Sequence, residues 1–300
     1  MTDLPTLPVL TRGVEIHLAF ASLVALAALL ITSSQRVSAT TKYWIWVATS
    51  INFVLPTGVL VDRFRPPDAS WVLPLEDFGN TIARTRGLGA ALAAVWAFGA
   101  AVMLARLVLR IGGSRSVGGG APAVEGLLRP RISLPAGIER VLTAPEIDAV
   151  LLHERTHARR RDNLIRLIHE IGLCVFWFHP FAWLAGSRLS LYRELSCDES
   201  VIRGARADDL VSALAKLANP AETLLLQAGA SAFLADRIAS LSMPRPISRT
   251  ANALLTAIFG AILLAGIVGS AFQSNLMHRA ARGEFCSRVP GDLAARPGAK

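Results

Sequence analysis

The chain has 300 residues, of which 52% are hydrophobic and only 18% charged, with a mean hydropathy of +0.45. That balance is too apolar for an ordinary soluble domain and predicts an integral membrane protein. The formal charge of +9 rests on arginines that flank apolar runs, not on a basic stripe interleaved with aromatics, which argues against direct nucleic-acid binding. Cys174, Cys197 and Cys286 are odd in number, widely spaced and form no C-x-x-C pair, so neither a disulfide framework nor a structural zinc ribbon is expected.

In chain order, four stretches approach the roughly 20 apolar residues that a spanning helix needs: Val14 to Thr32, Tyr43 to Val61, Gly87 to Ala105 and Ala253 to Phe272. The first has Arg12 as its basic flank and no clear small-x-small cleavage site after it, which favours an uncleaved anchor over a signal peptide. Tyr43, Trp44 and Trp46 are expected at one interface as an aromatic belt, and Asn52 and Pro56 suggest a polar packing contact or a kink within the second span. The predicted organisation is a membrane domain over 1–110, a catalytic domain over 111–249, a fourth span over 250–272 and a short tail over 273–300. Most of the 31 lysines and arginines fall in the short loop at Arg36 and Lys42 or between Arg106 and Arg249, which puts the large middle segment on the cytoplasmic side. Gly112 to Pro135 reads as a glycine-rich linker ending in "LLRPRISL", which suits an edge strand because proline is tolerated there.

The segment "TAPEIDAVLLHERTHARRRD" carries the chemistry. Thr143 and Glu146 form an S/T-x-x-E capping box with Pro145 in the first turn, and Ile147, Val150 and Leu151 follow at helical spacing. His153 and His157 then lie one turn apart on one face, where two imidazoles reach a single metal ion, and Glu154 is placed to act as general base. A catalytic zinc takes a third protein ligand. Asn163 stands six residues past His157, so the three-histidine pattern is absent, and the best downstream carboxylates are Glu194 and Asp198 in "LYRELSCDESV". These are four apart on a predicted helix, so one can bind metal while the other hydrogen-bonds a ligand; Glu199 points about 100° away and is expected on the solvated side. Asp162 is a further supporting or salt-bridge candidate. "IGLCVFWFHPFAWLAG", Ile171 to Gly186, lies between residues that would share one ion, so it is read as buried, interfacial or re-entrant and not as a span. His169 and His179 are read as structural histidines, Cys197 as a small buried residue, and Tyr192 as an oxyanion donor or a packing residue.

The run "GLLRPRISLP", "HERTHARRRDNL", "FWFHPFAW" and "RELSCDESV" resembles the membrane metallopeptidases of the BlaR/MecR sensor type, peptidase family M56. The resemblance covers Val124 to Arg203 in motif detail and extends to three spans before the peptidase and one after. It implies a mainly α integral membrane protein with a cytoplasmic gluzincin-type zinc endopeptidase domain, in the inner membrane of a bacterium. It further implies one zinc held by His153, His157 and Glu194, with Glu154 as base and the strand Arg131, Ile132, Ser133, Leu134 along the substrate. The E-x-x-x-D spacing is similar to that of the HtpX and CAAX-prenyl membrane proteases, which favours Glu194 over Asp198 as ligand. The implied partners are a protein substrate, either a BlaI/MecI-like repressor or the chain itself, the lipid bilayer, and a second copy as a homodimer. Only the residues from Gln273 to Lys300 follow the fourth span, too few for a penicillin-binding sensor domain and without an S-x-x-K motif, so direct β-lactam sensing is not expected. Quality-control proteolysis of the HtpX kind and a catalytically silent receptor are the competing expectations.

Overall fold

The computed structural model describes residues 7–55, 88–113, 122–217, 228–243 and 247–281. Pro56 and the rest of the predicted second span, the loop from Asp62 to Arg86 and the tail beyond Ala281 lie outside these residues. Nine α-helices, a one-turn 3-10 helix at Ile138–Arg140 and one hairpin are described: α1 Leu7–Ser33, α2 Ala39–Val54, α3 Leu88–Gly113, β1 Ala123–Glu125, β2 Arg131–Ser133, α4 Ala144–Arg160, α5 Asp162–Val175, α6 Pro180–Arg203, α7 Ala207–Leu217, α8 Ala228–Ser242 and α9 Arg249–Ala281.

Two helices are long and apolar enough to cross a bilayer, over Ala90–Gly112 in α3 and Arg249–Gly266 in α9. No residue of the apolar window in α3 is buried, so this helix offers hydrocarbon on nearly all sides. The apolar part of α1, His17–Ser33, and the 16-residue α2 are shorter than that length.

In α2 the expected aromatic belt is not formed. Tyr43 and Trp46 are fully buried and only Trp44 is exposed, because α2 packs on α6, α5 and α1 and turns its polar rims toward them. Trp46 Nε1 donates to Thr32 Oγ1 at 3.2 Å, which satisfies the indole in the interior. Asn52 is buried with neither amide atom partnered among the described residues. Glu199 departs from expectation in the same way: it is buried, and its Oε2 accepts from Thr40 N at 2.9 Å and Thr40 Oγ1 at 2.8 Å. A carboxylate from α6 thus caps the positive N-terminal end of α2.

Three apolar clusters hold these elements. One joins α1, α2, α6 and α9 through Val24, Tyr43, Trp46, Leu189 and Phe259. A second joins α4, α6, α7 and α8, with Leu142, Val150, Val201, Leu210 and Leu241. The third contains Ala21, Phe53, Leu173 and Ala182. The stretch Ile171 to Gly186 is broken by the link between Val175 and Pro180, so it makes the end of α5 and the start of α6, with Pro180 at the first helical position where its missing N–H costs nothing.

Candidate metal centre

Helix α4 starts at the capping box read from the sequence, where Glu146 Oε2 accepts from Thr143 N at 2.7 Å. It ends at Arg160. Arg161 adopts φ +56°, a left-handed conformation unusual for arginine, and α5 begins at Asp162. An unbroken helix would put position 162 about 140° round from His157. The break swings Asp162 back instead, so that its Oδ2 lies 2.7 Å from His157 Nδ1.

The other imidazole nitrogens converge. His153 Nε2 and His157 Nε2 are 3.1 Å apart, and Glu194 Oε2 on α6 lies 3.5 Å from the first and 3.7 Å from the second. Three ligands about 2.0–2.1 Å from a tetrahedral ion stand about 3.3–3.4 Å from one another, so this triangle has the size of one face of a zinc site. The residues therefore fit the metal. A second triplet exists: the ligand atoms of His153, His157 and Cys197 all lie within 4.8 Å of one another. Its thiol is fully buried and contacts Arg160 Nη2 at 2.9 Å, and burial pushes its pKa up, which disfavours the thiolate a metal needs. The Glu194 triangle is the tighter of the two.

Each imidazole is backed by a carboxylate. Asp198, fully buried, places Oδ1 3.0 Å from His153 Nδ1, within ionic contact although off the line of a good hydrogen bond. Asp162 holds His157 and also accepts from Arg160 Nη2 at 2.6 Å and from Tyr43 Oη at 2.7 Å. Such partners fix the tautomer that leaves Nε2 free for metal. Burial works to raise the Glu194 pKa, but the two imidazoles and Arg193 outweigh it and hold the carboxyl well below the usual range. Burial likewise opposes charge on His157, yet Asp162, Cys197 and Glu194 push it up to about 11. A metal must displace that proton, so occupancy rises with pH.

Glu154 is half-buried on the turn beside both histidines and makes no hydrogen bond or ion pair among the described residues. The hairpin lies against α4, pinned by Asn163 Nδ2 donating to Val124 O at 2.7 Å; β2 pairs with β1 alone among the described residues, leaving its other edge open at Arg131–Ser133, and Leu134 packs below. Tyr192 faces elsewhere: its hydroxyl donates to Thr32 O at 3.3 Å in the α1–α6 interface. His179 packs against Phe53 and Phe181 and contacts Ser22 Oγ at 3.2 Å. His169 is buried with Nε2 unpartnered among the described residues, and burial lowers its pKa to about 4, so it is neutral.

Two contributors carry no sequence signal. Arg237 on α8 donates to Asp198 through Nε and Nη2, both at 2.9 Å, while Nη1 lies 3.5 Å from Glu194 Oε2 and Nη2 3.5 Å from His153 Nε2. Tyr43 reaches Asp162 from α2. Neither sits at a motif spacing from the histidines.

Residues 110–239 match the family model "BlaR1 peptidase M56". Over 83 residues, 28% of this chain, the sequence is 36% identical to the regulatory protein BlaR1 of Bacillus licheniformis. Over 82 residues, 27% of this chain, it is 27% identical to the methicillin resistance mecR1 proteins of Staphylococcus aureus and Staphylococcus epidermidis. These alignments span 14% of the length of each relative. No solved structure matches. Segment 110–239 thus matches the BlaR1 peptidase M56 family, consistent with a protein of the BlaR/MecR type.

Proposed function

We propose that the chain is a membrane-embedded zinc endopeptidase, with His153, His157 and Glu194 as metal ligands and Glu154 as general base. The observation that carries this reading is the triangle of His153 Nε2, His157 Nε2 and Glu194 Oε2, with edges of 3.1, 3.5 and 3.7 Å. Zinc held there supplies Lewis acidity that polarises a carbonyl and makes water a nucleophile near neutral pH. Glu154, with no hydrogen bond or ion pair among the described residues, takes a proton from the attacking water and passes it to the departing amine as the C–N bond breaks. Asp162 and Asp198 keep the two imidazoles turned toward the ion. The open edge of β2 offers backbone groups at Arg131 to Ser133 to an extended peptide, as β-augmentation requires.

The apolar helices α3 and α9 anchor the enzyme in a bacterial inner membrane with the peptidase segment in the cytoplasm, supported by the basic residues that flank it. The substrate is a protein, either a BlaI/MecI-like transcriptional repressor or the chain itself, cleaved in response to a signal. The test compares wild type with Glu154→Gln in a strain lacking the native copy, reading new protein N-termini across the proteome. A cleavage in one DNA-binding repressor that depends on Glu154 supports regulatory proteolysis. Many cleaved membrane proteins would point to quality control, and identical N-termini with and without cell-envelope stress would contradict an enzymatic role.

A further inference from the structure

Tyr43 lies outside the matched segment, on α2, and is fully buried. Its hydroxyl donates to Asp162 Oδ1 at 2.7 Å, while Oδ2 of the same carboxylate contacts His157 Nδ1 at 2.7 Å. A carboxylate held at one oxygen still turns about its terminal torsion, which is broad and two-fold. Held at both, it presents Oδ2 to the imidazole in one direction. The Tyr43 ring also carries the Arg160 guanidinium 4.3 Å from its centroid, and Arg160 makes the third contact to Asp162.

The first turn of α2 is tied to the other half of the site as well. Thr40 is bound to Glu199, the residue next to Asp198, which backs His153. One helical turn of α2 therefore touches the carboxylate behind one histidine and the immediate neighbour of the carboxylate behind the other.

We infer that Tyr43 is a positioning residue for His157, acting through Asp162, and that metal affinity is thereby coupled to the docking of α2 against α5 and α6. The inference rests on the metal-site reading above. When α2 is seated, Asp162 is locked and His157 is aimed; when α2 shifts, the lock opens and the site loosens. The element that would move lies ahead of the matched segment 110–239.

The experiment measures zinc affinity of the full-length protein in detergent by competition with a chromophoric chelator, with cobalt absorption spectra of the same samples. Tyr43→Phe keeps the ring over Arg160 and removes only the hydroxyl. It is expected to weaken zinc binding about 10-fold or more and to shift the cobalt bands. Tyr192→Phe removes a comparably buried tyrosine hydroxyl from the α1–α6 interface and is expected to bind zinc as wild type does. In an Asp162→Ala background, Tyr43→Phe should add no further loss. Wild-type zinc affinity in Tyr43→Phe, or an equal extra loss in the Asp162→Ala background, would overturn the inference. Should Tyr43→Phe fail to fold, 4-fluorophenylalanine at position 43 keeps the ring and nearly the volume of tyrosine while removing the donor to Asp162; an unchanged zinc affinity there would overturn it too. Wild type that takes up no stoichiometric zinc would instead overturn the metal-site reading.

Discussion

Replacing Asp198 by asparagine separates the two tasks of that carboxylate. Asp198 is fully buried, receives Nε and Nη2 of Arg237 at 2.9 Å each, and stands 3.0 Å from His153 Nδ1. Asparagine keeps the volume but removes the charge, leaving a guanidinium only 14% exposed without its main counter-ion. Breaking a buried pair from one side costs about 3–5 kcal/mol. Glu194 Oε2, 3.5 Å from Arg237 Nη1, remains as a partial substitute, so a loss of about 3 kcal/mol in metal-free stability is expected. Losing the carboxylate behind a ligand histidine lowers metal affinity roughly 10–100-fold, about 1.4–2.7 kcal/mol. Adding Arg237→Gln removes the stranded charge. The double variant should regain most of the metal-free stability while its zinc affinity stays low, because His153 is still unsupported. Denaturant unfolding of the apo protein and chelator competition read the two quantities independently. Unchanged zinc affinity in Asp198→Asn, or its full recovery in the double variant, would refute the reasoning.

Two further outcomes follow from the packing. The Glu146 carboxylate binds Lys216 Nζ at 2.7 and 2.8 Å, and Ser212 and Thr143 also donate to it; Lys216 above all holds its pKa at about 2. The folded value lies below the unfolded one of about 4.3, so this group stabilises the fold above that pH and its contribution is lost as pH falls from there toward 2. Glu146→Gln should flatten the acid limb of the pH–stability curve in that window, read by unfolding midpoints; an unaltered limb would exclude the linkage. Gly186→Ala drives a methyl group into His169 Nε2 at the α5–α6 contact. Overpacking of about 1–3 kcal/mol outweighs the helix propensity gained, so thermal stability should fall, and His169→Ala in the same chain should recover part of it.

The parts of the site set by helical periodicity are legible in the sequence. His153 and His157 are paired by a four-residue spacing, and so are Glu194 and Asp198, because a regular helix fixes which residues share a face. Where one helix meets another the reading failed. Tyr43 and Trp46 fit an aromatic belt by composition, but tertiary packing buries both and gives each hydroxyl or indole a partner across the interface. Glu199 does point away from Asp198; the space it points into is filled by α2, not by water. The recruitment of Asp162 depends on a left-handed Arg161, and an arginine run carries no glycine-like signal for such a break. Arg237 comes from a position 84 residues past His153, beyond any local pattern. The apolar stretches from Val14 to Val61 suggest two spans; hydropathy does not weigh the polar contacts through which α2 is bound to α5 and α6.

The most direct test of the metal centre is zinc X-ray absorption on the purified full-length protein. The account predicts one zinc per chain with nitrogen and oxygen neighbours at about 2.0–2.1 Å and no sulfur shell, and loss of the metal from His157→Ala. A sulfur neighbour at about 2.3 Å would put Cys197 in place of Glu194, and a protein that holds no zinc would contradict the metallopeptidase reading altogether.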